Sequence, residues 1–121
     1  MEYQVIFHKN DDDDEKYNGY IEIKINFHNL KINWVLSDCG CYPSSEWIEL
    51  LNCMNGTLKH KLSVVGGGGN SSWTADATET KFRLCFDISG SGGDSTITHE
   101  FPIDIMIPVV EQIIEKIKLM E

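Results

Sequence analysis

The residues with the clearest potential for chemistry are two cysteines separated by one glycine, Cys39 and Cys41. Two thiolates at this spacing could ligate zinc if Cys53 or a histidine completed a tetrahedral set. Structural zinc sites usually show a second paired cluster, whereas Cys53 and Cys85 stand alone. The spacing is also one residue short of a Cys-x-x-Cys redox motif. We therefore expect no metal and no cofactor. Because we also expect a cytoplasmic protein, for the reasons given below, the four cysteines should be thiols rather than disulfides.

The sequence contains no recognisable nucleophile motif. The glycine-rich stretch Ser89–Asp94 is one glycine short of the Gly-x-Ser-x-Gly turn that presents a catalytic serine. The stretch Gly66–Asn70 follows a predicted strand but lacks the Lys-Ser/Thr pair of a phosphate-binding loop. Four histidines are scattered among strand-like residues: His8, His28, His60 and His99. We expect them to face solvent, and we expect no enzyme, with a small Cys/His-dependent enzyme as the catalytic alternative.

Five consecutive carboxylates lie between two strand-like segments, at Asp11, Asp12, Asp13, Asp14 and Glu15. A calcium loop would place its acids at alternate positions around a central glycine, so this run does not match one. In water the run costs little repulsion, and it produces a steep negative potential that attracts basic surfaces. We predict that these five residues bind a protein partner. The competing interpretation is a solvated turn.

The whole chain is acidic, with 19 Asp and Glu against 10 Lys and Arg and a net charge of −9. This balance argues against direct binding to nucleic acid, whose phosphates are held by Lys and Arg, and against an anionic membrane surface. No apolar run approaches the roughly 18 residues that span a bilayer. The first residues do not resemble a signal peptide. We therefore expect a cytoplasmic protein.

Alternation of apolar and polar residues predicts most of the strands, because it places one face in the core and the other in water. The predicted strands are Tyr3–His8, Tyr20–His28, Leu30–Leu36, Thr57–Val65, Ser72–Ala77, Lys81–Ile88 and Ser95–Phe101. A tight turn at His28-Asn29 would join the second and third strands into a hairpin. The two glycine-rich stretches, Gly66–Asn70 and Ser89–Asp94, are predicted to be exposed, mobile loops.

Two helices are predicted. The first spans Ser44–Gly56, because a serine can cap its start and Gly56 suits a left-handed end. One apolar stripe lies along it: Trp47, Leu50, Leu51 and Met54. The second helix closes the chain, and its buried stripe is formed by Val110, Ile113, Ile114 and Ile117. Its start is open: Pro108 suits a first turn, and Asp104 is a candidate cap.

These elements predict a single α+β domain over residues 1–121, in the order β-β-β-α-β-β-β-β-α. Consecutive strands joined by short loops favour antiparallel pairing. We therefore expect one antiparallel sheet of about six to seven strands, with two helices packed on one face. An uncovered strand edge would allow a homodimer.

A resemblance becomes visible from the segment Tyr42–Gly56 onward. A short Ser-x-Glu-Trp-like helix ending in glycine is followed by a strand that carries Trp73, a turn at Gly92-Gly93-Asp94, and a closing helix after Phe101-Pro102. This order of elements resembles small bacterial immunity proteins of polymorphic or contact-dependent toxin systems. The resemblance implies a cytoplasmic, non-enzymatic protein that binds a cognate toxin domain and blocks its active site. Many such toxins are nucleases with basic surfaces, which suit an acidic partner.

An alternative of another origin is an inhibitor from a phage or mobile element that imitates the charge of nucleic acid. Both hypotheses use the negative charge of the chain to engage a basic protein. They differ in the partner, which is a cognate toxin in the first and a nucleic-acid-binding protein in the second.

Overall fold

Two antiparallel sheets and two helices make up the computed structural model, which describes residues 1–9, 19–36, 44–56, 62–68, 71–78 and 80–119. In chain order the elements are β1 (Glu2–Lys9), β2 (Gly19–Phe27), β3 (Leu30–Leu36), α1 (Ser44–Met54), β4 (Leu62–Gly68), β5 (Ser71–Ala77), β6 (Lys81–Gly90), β7 (Gly93–Pro102) and α2 (Ile103–Lys118). The α+β class, the antiparallel pairing and the order of elements agree with the prediction.

The prediction of one sheet of six to seven strands is wrong. The strands form a three-stranded sheet in the order β1-β2-β3 and a four-stranded sheet in the order β4-β5-β6-β7. Strands β3 and β4, which are separated in the chain by α1, lie in different sheets and do not pair. The alternation of apolar and polar residues identifies the buried face of each strand, but it does not identify the strand that pairs with it. Two separate sheets that pack face to face bury these apolar faces as well as one sheet covered by helices does.

The apolar faces of the two sheets meet in one core. Across this contact the ring centroids of Trp34 and Trp73 are 5.0 Å apart, and those of Phe27 and Phe101 are 5.5 Å apart. In the three-stranded sheet, pairing aligns Val5, Ile23 and Trp34 on one face, and all three are buried. The period-two pattern of the sequence therefore locates the core correctly.

The prediction that both helices pack on one face of a single sheet is wrong. Helix α1 contacts β4 and β5, whereas α2 contacts strands of both sheets. Within the predicted apolar stripe of α1, Trp47, Leu50 and Met54 are buried and Leu51 is half-buried, which confirms the predicted helical face. Gly56 follows α1 with φ +79°, the left-handed conformation expected from the sequence.

Helix α2 begins earlier than Pro108 suggested. It starts at Ile103, so Pro108 lies inside the helix and Asp104 lies in its first turn rather than at its cap. Pro102 holds the cap position and makes no side-chain cap hydrogen bond. A proline in the sixth helical position removes one backbone hydrogen bond. The buried stripe predicted from Val110 to Ile117 is confirmed.

The described parts of both glycine-rich stretches contribute to strands rather than to the predicted loops, and Gly69 and Asn70 lie outside the described residues. In the first, β4 extends through Gly68, and residues 66–68 pair with Ser71–Trp73. In the second, Gly90 pairs with Gly93, which leaves the two-residue turn Ser91-Gly92 between β6 and β7. Gly93 has φ +122°, a conformation open to glycine but resisted by other residues. Gly93 therefore permits a tight turn between β6 and β7.

Candidate groove beside the edge of β3

A groove of about 390 Å³ lies between β3 and the part of the β6–β7 hairpin that is nearest its turn. It is the candidate functional site, because it combines an unpaired strand edge with exposed apolar side chains. Its lining residues come from β3 (residues 31–35), β5 (Ser72 and Trp73), β6 (Phe86 and Ile88) and β7 (Ile97 and His99).

The wall on the β3 side is a free strand edge. Strand β3 is the last strand of its sheet, and no other strand in the described part of the chain pairs with its outer side. The two-residue turn His28-Asn29 closes the β2–β3 hairpin, with φ 56° at His28. In such a turn Leu30 donates its backbone N–H to the carbonyl of Phe27. Hydrogen-bonded and non-hydrogen-bonded pairs alternate from there.

This alternation decides which backbone groups of β3 are available. Leu30, Ile32 and Trp34 use their N–H and C=O groups toward β2, whereas Lys31, Asn33 and Val35 direct theirs outward. The three outward residues all line the groove. The groove therefore offers three consecutive outward backbone positions of an extended strand.

The floor of the groove is a continuation of the core face of the four-stranded sheet. Pairing places Trp73, Phe86 and Ile97 side by side, and Ile88 follows on the same face. Trp73 is buried and Phe86 is half-buried, but Ile97 and Ile88 are 47% and 46% exposed. The core face of this sheet thus extends beyond the area that the three-stranded sheet covers.

Two buried tryptophans lie beneath this apolar surface. Trp34 is fully buried and Trp73 is 4% exposed, and their rings meet edge to face. Neither indole Nε1–H has a hydrogen-bond acceptor among the described residues. A buried donor without an acceptor is unfavourable, by about 1–3 kcal/mol. Both Nε1 atoms are themselves buried, so they belong to the core beneath the groove and not to its accessible surface.

The charge of the groove differs from that of the whole chain. Lys31 is charged, His99 is titratable, and no Asp or Glu is among the described residues that line the groove. The chain as a whole has a net charge of −9. The described acids of α2 lie elsewhere, with Asp104, Glu111 and Glu115 exposed on one face of the helix.

The predicted partner-binding residues Asp11, Asp12, Asp13, Asp14 and Glu15 lie outside the described residues. The same is true of Cys39, Cys41 and His60. The described residues therefore do not test these predicted site residues, and their role stays a prediction.

The two described cysteines belong to different elements. Cys53 is buried on α1, where its Sγ lies 3.8 Å from the carbonyl oxygen of Ala77. Cys85 is half-buried on β6 and accepts a hydrogen bond from Thr98 Oγ1 at 3.4 Å. In the described ranges, no group of three or more His, Cys, Asp or Glu residues could hold a metal ion.

A second polar cluster lies on the outer face of the three-stranded sheet. His8 Nε2 is 3.0 Å from Glu22 Oε1, and the His8 ring stacks on Tyr20 with centroids 4.6 Å apart. The hydrogen bond from His8 lowers the pKa of the Glu22 carboxyl below 4.5, and a hydrogen bond from Asn33 acts in the same direction. This cluster ties β1, β2 and β3 together.

The histidines differ in their surroundings. His8 faces outward as predicted, and His28 lies in an exposed turn. His99 is half-buried on the core-facing side of β7, beside Phe86 at a ring distance of 6.2 Å. The prediction of a solvent-facing histidine is therefore wrong for His99, because its strand position pairs with Leu84 on the core face.

Comparison with known proteins gives no family for this chain. No family model and no curated protein matches it. It is similar to crystal structures of Trypanosoma brucei MRP1/MRP2, with 12% identity and a TM-score of 0.44, over 92% of this chain and 82% of that chain. This similarity is too low to transfer a function.

In the described part of the chain, neither helix is long and apolar enough to cross a membrane.

Sequence reasoning missed the groove, although part of its signal was present. The alternation of Phe82, Leu84, Phe86 and Ile88 marks one apolar face along the whole of β6. The pattern cannot tell which end of that face the other sheet leaves uncovered.

Proposed function

We propose that the protein is a non-enzymatic, cytoplasmic immunity protein that binds and neutralises a cognate basic toxin domain, such as a nuclease. The observation that carries this proposal is the net charge of −9, to which the run Asp11–Glu15 contributes five carboxylates. A concentrated negative potential draws a cationic protein surface into contact and selects it over neutral partners.

The placement of the described acids supports this proposal. Glu46 and Glu49 are exposed on α1, and Glu111 and Glu115 are exposed on α2. The apolar stripes of both helices are buried, so these carboxylates project from the opposite faces. They are available to a partner without any change in the core.

The groove supports the same class of function by a different chemistry. Exposed apolar side chains beside an unpaired strand edge are typical of surfaces that bind other polypeptides. The proposal therefore includes two distinct surfaces, one acidic and one apolar.

The test begins with capture of partners from the source organism, using the full chain as bait. A captured basic polypeptide is then expressed alone in a bacterial host and together with the full chain. We expect arrest of growth in the first case and restored growth in the second. Failure of the chain to restore growth would contradict the proposal.

A matched pair of variants locates the interaction. Replacing Asp11, Asp12, Asp13 and Asp14 by Asn removes four negative charges from the acidic run. Replacing Glu46, Glu49, Glu111 and Glu115 by Gln removes four charges from the helices. We expect the first variant to lose affinity by about tenfold or more relative to the second. Equal losses would show that only the total charge matters.

A further inference from the structure

We propose that the outer face of the three-stranded sheet binds an arginine side chain of a basic partner protein. The Glu22 patch, as we call this site, consists of Glu22 and the three apolar residues around it, Ile6, Tyr20 and Val35. The inference rests on the proposed function for the basic character of the partner. It adds the surface that holds the partner after charge has attracted it.

The first support is the position of the apolar residues on this face. Pairing of β1, β2 and β3 directs alternate residues outward, and most of these are polar or charged, as expected of a face in water. The exceptions are Ile6, Tyr20 and Val35. Ile6 and Val35 pair with Glu22 from either side, and Tyr20 precedes Glu22 by two residues on the same strand. All three exceptions therefore surround one carboxylate.

These apolar side chains are accessible, and the fold does not need them to hold a carboxylate. Tyr20 and Val35 are 37% and 46% exposed, and Ile6 is half-buried without belonging to the core cluster. On the outer face of the other sheet, Asp87 accepts a hydrogen bond from Thr96 Oγ1 at 2.7 Å, and its cross-strand neighbours are polar. Apolar contacts around a polar anchor are instead typical of the centre of a protein-binding surface.

The second support is the state of the carboxylate. Glu22 Oε1 lies 3.0 Å from His8 Nε2, and hydrogen bonds from His8 and Asn33 lower the pKa of Glu22 below 4.5, so the group is ionised and held in place at neutral pH. Lys24 acts on it through charge, and no Lys or Arg of the described residues lies within ion-pair distance. A carboxylate has about four acceptor positions, so these two hydrogen bonds leave capacity for a further donor.

These surroundings favour a guanidinium over an ammonium group. Arginine donates in a planar fork that matches a carboxylate, and its weak hydration suits a site with apolar walls. Its apolar stem would pack on Ile6 and Val35, and its planar head would contact the ring of Tyr20. Lysine would keep the charge but would lose the fork and the contact with the ring.

The occupant is a different protein and not a second copy of this chain. The sequence contains a single arginine, Arg83. Its Nε atom is buried and lies 4.0 Å from Glu100 Oε1, so this guanidinium is already placed against a carboxylate of its own chain. Two chains of net charge −9 also repel each other. A basic partner has neither disadvantage.

The acidic run is joined to the end of the sheet that carries the patch. Strand β1 ends at Lys9, and the run begins two residues later at Asp11. Glu22 pairs with Ile6, three residues before that end of β1. A basic surface attracted by the five carboxylates is therefore brought to the same end of the molecule as the Glu22 patch.

The test uses a displayed library of random cyclic peptides, selected for binding to the full-length protein and against binding to its Glu22→Gln variant. We expect the selected peptides to share one arginine. Replacing that arginine by lysine in a selected peptide should weaken binding by about tenfold, because a fork-shaped donor is lost. The growth assay has no part in this test, so a failure here and a failure of the proposed function are distinguishable.

Matched variants place the binding at the patch. Val35→Asn should weaken binding of the selected peptides by about fivefold or more, because it removes an apolar contact at the centre of the surface. Val65→Asn is the control, since Val65 is 61% exposed on β4 and lies outside the patch. Val35→Asn keeps the carboxylate and its hydrogen bonds, so it tests the patch even if Glu22→Gln folds poorly. Asp87→Asn, which removes a hydrogen-bonded carboxylate elsewhere, should leave binding unchanged.

Two further measurements separate binding at the patch from a purely structural role. In NMR spectra, the backbone amide signals of Ile6, Glu22 and Val35 should shift when a selected peptide binds, whereas those of Asp87 and Thr96 should not. Urea unfolding midpoints should be similar for Val35→Asn and Val65→Asn, although only the first loses affinity.

Several outcomes would overturn the proposal. They include a selection that leaves no binder, binders that share no arginine, and equal binding to Val35→Asn and Val65→Asn. Self-association in sedimentation experiments that is abolished by Glu22→Gln would assign the patch to a second copy, against the occupant proposed. Arginine-dependent binding that is weakened by Val35→Asn and not by the control variants would support it.

Discussion

At the scale of single residues, three tryptophans join the parts of the core. Their ring centroids are 5.0 Å apart for Trp34 and Trp73, 5.8 Å for Trp34 and Trp47, and 5.9 Å for Trp47 and Trp73. One ring comes from each sheet and the third from α1. Aromatic pairs at such distances add to the free energy gained from burial alone. The cluster therefore holds β3 in place as one wall of the groove.

Among the described residues, Glu22 is the one whose ionisation is most clearly linked to the fold. Because the hydrogen bonds from His8 and Asn33 lower its pKa in the folded state, the ionised carboxylate stabilises the protein above pH 4.5. This stabilisation is lost as the pH falls through the lowered pKa. We expect Glu22→Gln to destabilise the protein at pH 7, and we expect the difference in unfolding free energy to shrink below pH 4.5.

Urea unfolding between pH 3 and pH 7 measures this difference. The control is Glu111→Gln, which removes one exposed glutamate from α2. A difference between wild type and Glu22→Gln that stays constant across this range would contradict the role assigned to the carboxylate.

At the scale of elements, the end of α1 shows how one glycine determines a boundary. Gly56 has φ +79°, and its N–H donates to the carbonyl oxygen of Cys53 at 3.1 Å. A side chain there has room, since a Cβ atom would meet nothing within 4 Å. Any cost of substitution therefore comes from the backbone conformation and not from a clash.

We expect Gly56→Ala to lower the free energy of unfolding by about 1–2 kcal/mol, because an L-residue resists the left-handed region. Chemical denaturation measures this loss. Gly92→Ala is the matched control, since Gly92 is also open to solvent and has no positive φ. Equal effects of the two substitutions would show that the conformation of Gly56 does not stabilise the end of α1.

At the scale of the whole molecule, the net charge of −9 should govern how fast a basic partner is found. Screening shortens the range of such forces from about 30 Å at 0.01 M salt to about 8 Å at 0.15 M. We expect the association rate with the captured basic partner to fall by about tenfold or more over this range, with a much smaller change in the dissociation rate.

Stopped-flow mixing at a series of salt concentrations measures both rates. The variant with Asn at positions 11–14 should show a shallower dependence than wild type, because it has four fewer negative charges. An association rate that ignores ionic strength would contradict charge steering.

Much of the local structure could be predicted from the sequence. The period-two runs identified the buried faces of β2, β3 and β6, and the apolar stripes identified those of both helices. Gly56 marked the end of α1, and the turn at His28-Asn29 was located correctly. These features depend on residues close together in the chain, so their types and spacing are sufficient to predict them.

The division into two sheets and the groove between them were decided by the tertiary structure alone. Whether β3 pairs with β4, and whether Ile97 lies under the other sheet or beside it, depends on contacts between residues far apart in sequence. An apolar residue at an alternating position looks the same whether its face is covered or open. The types and spacing of the residues indicate which side chains seek the core, whereas long-range packing sets which of those side chains stay exposed.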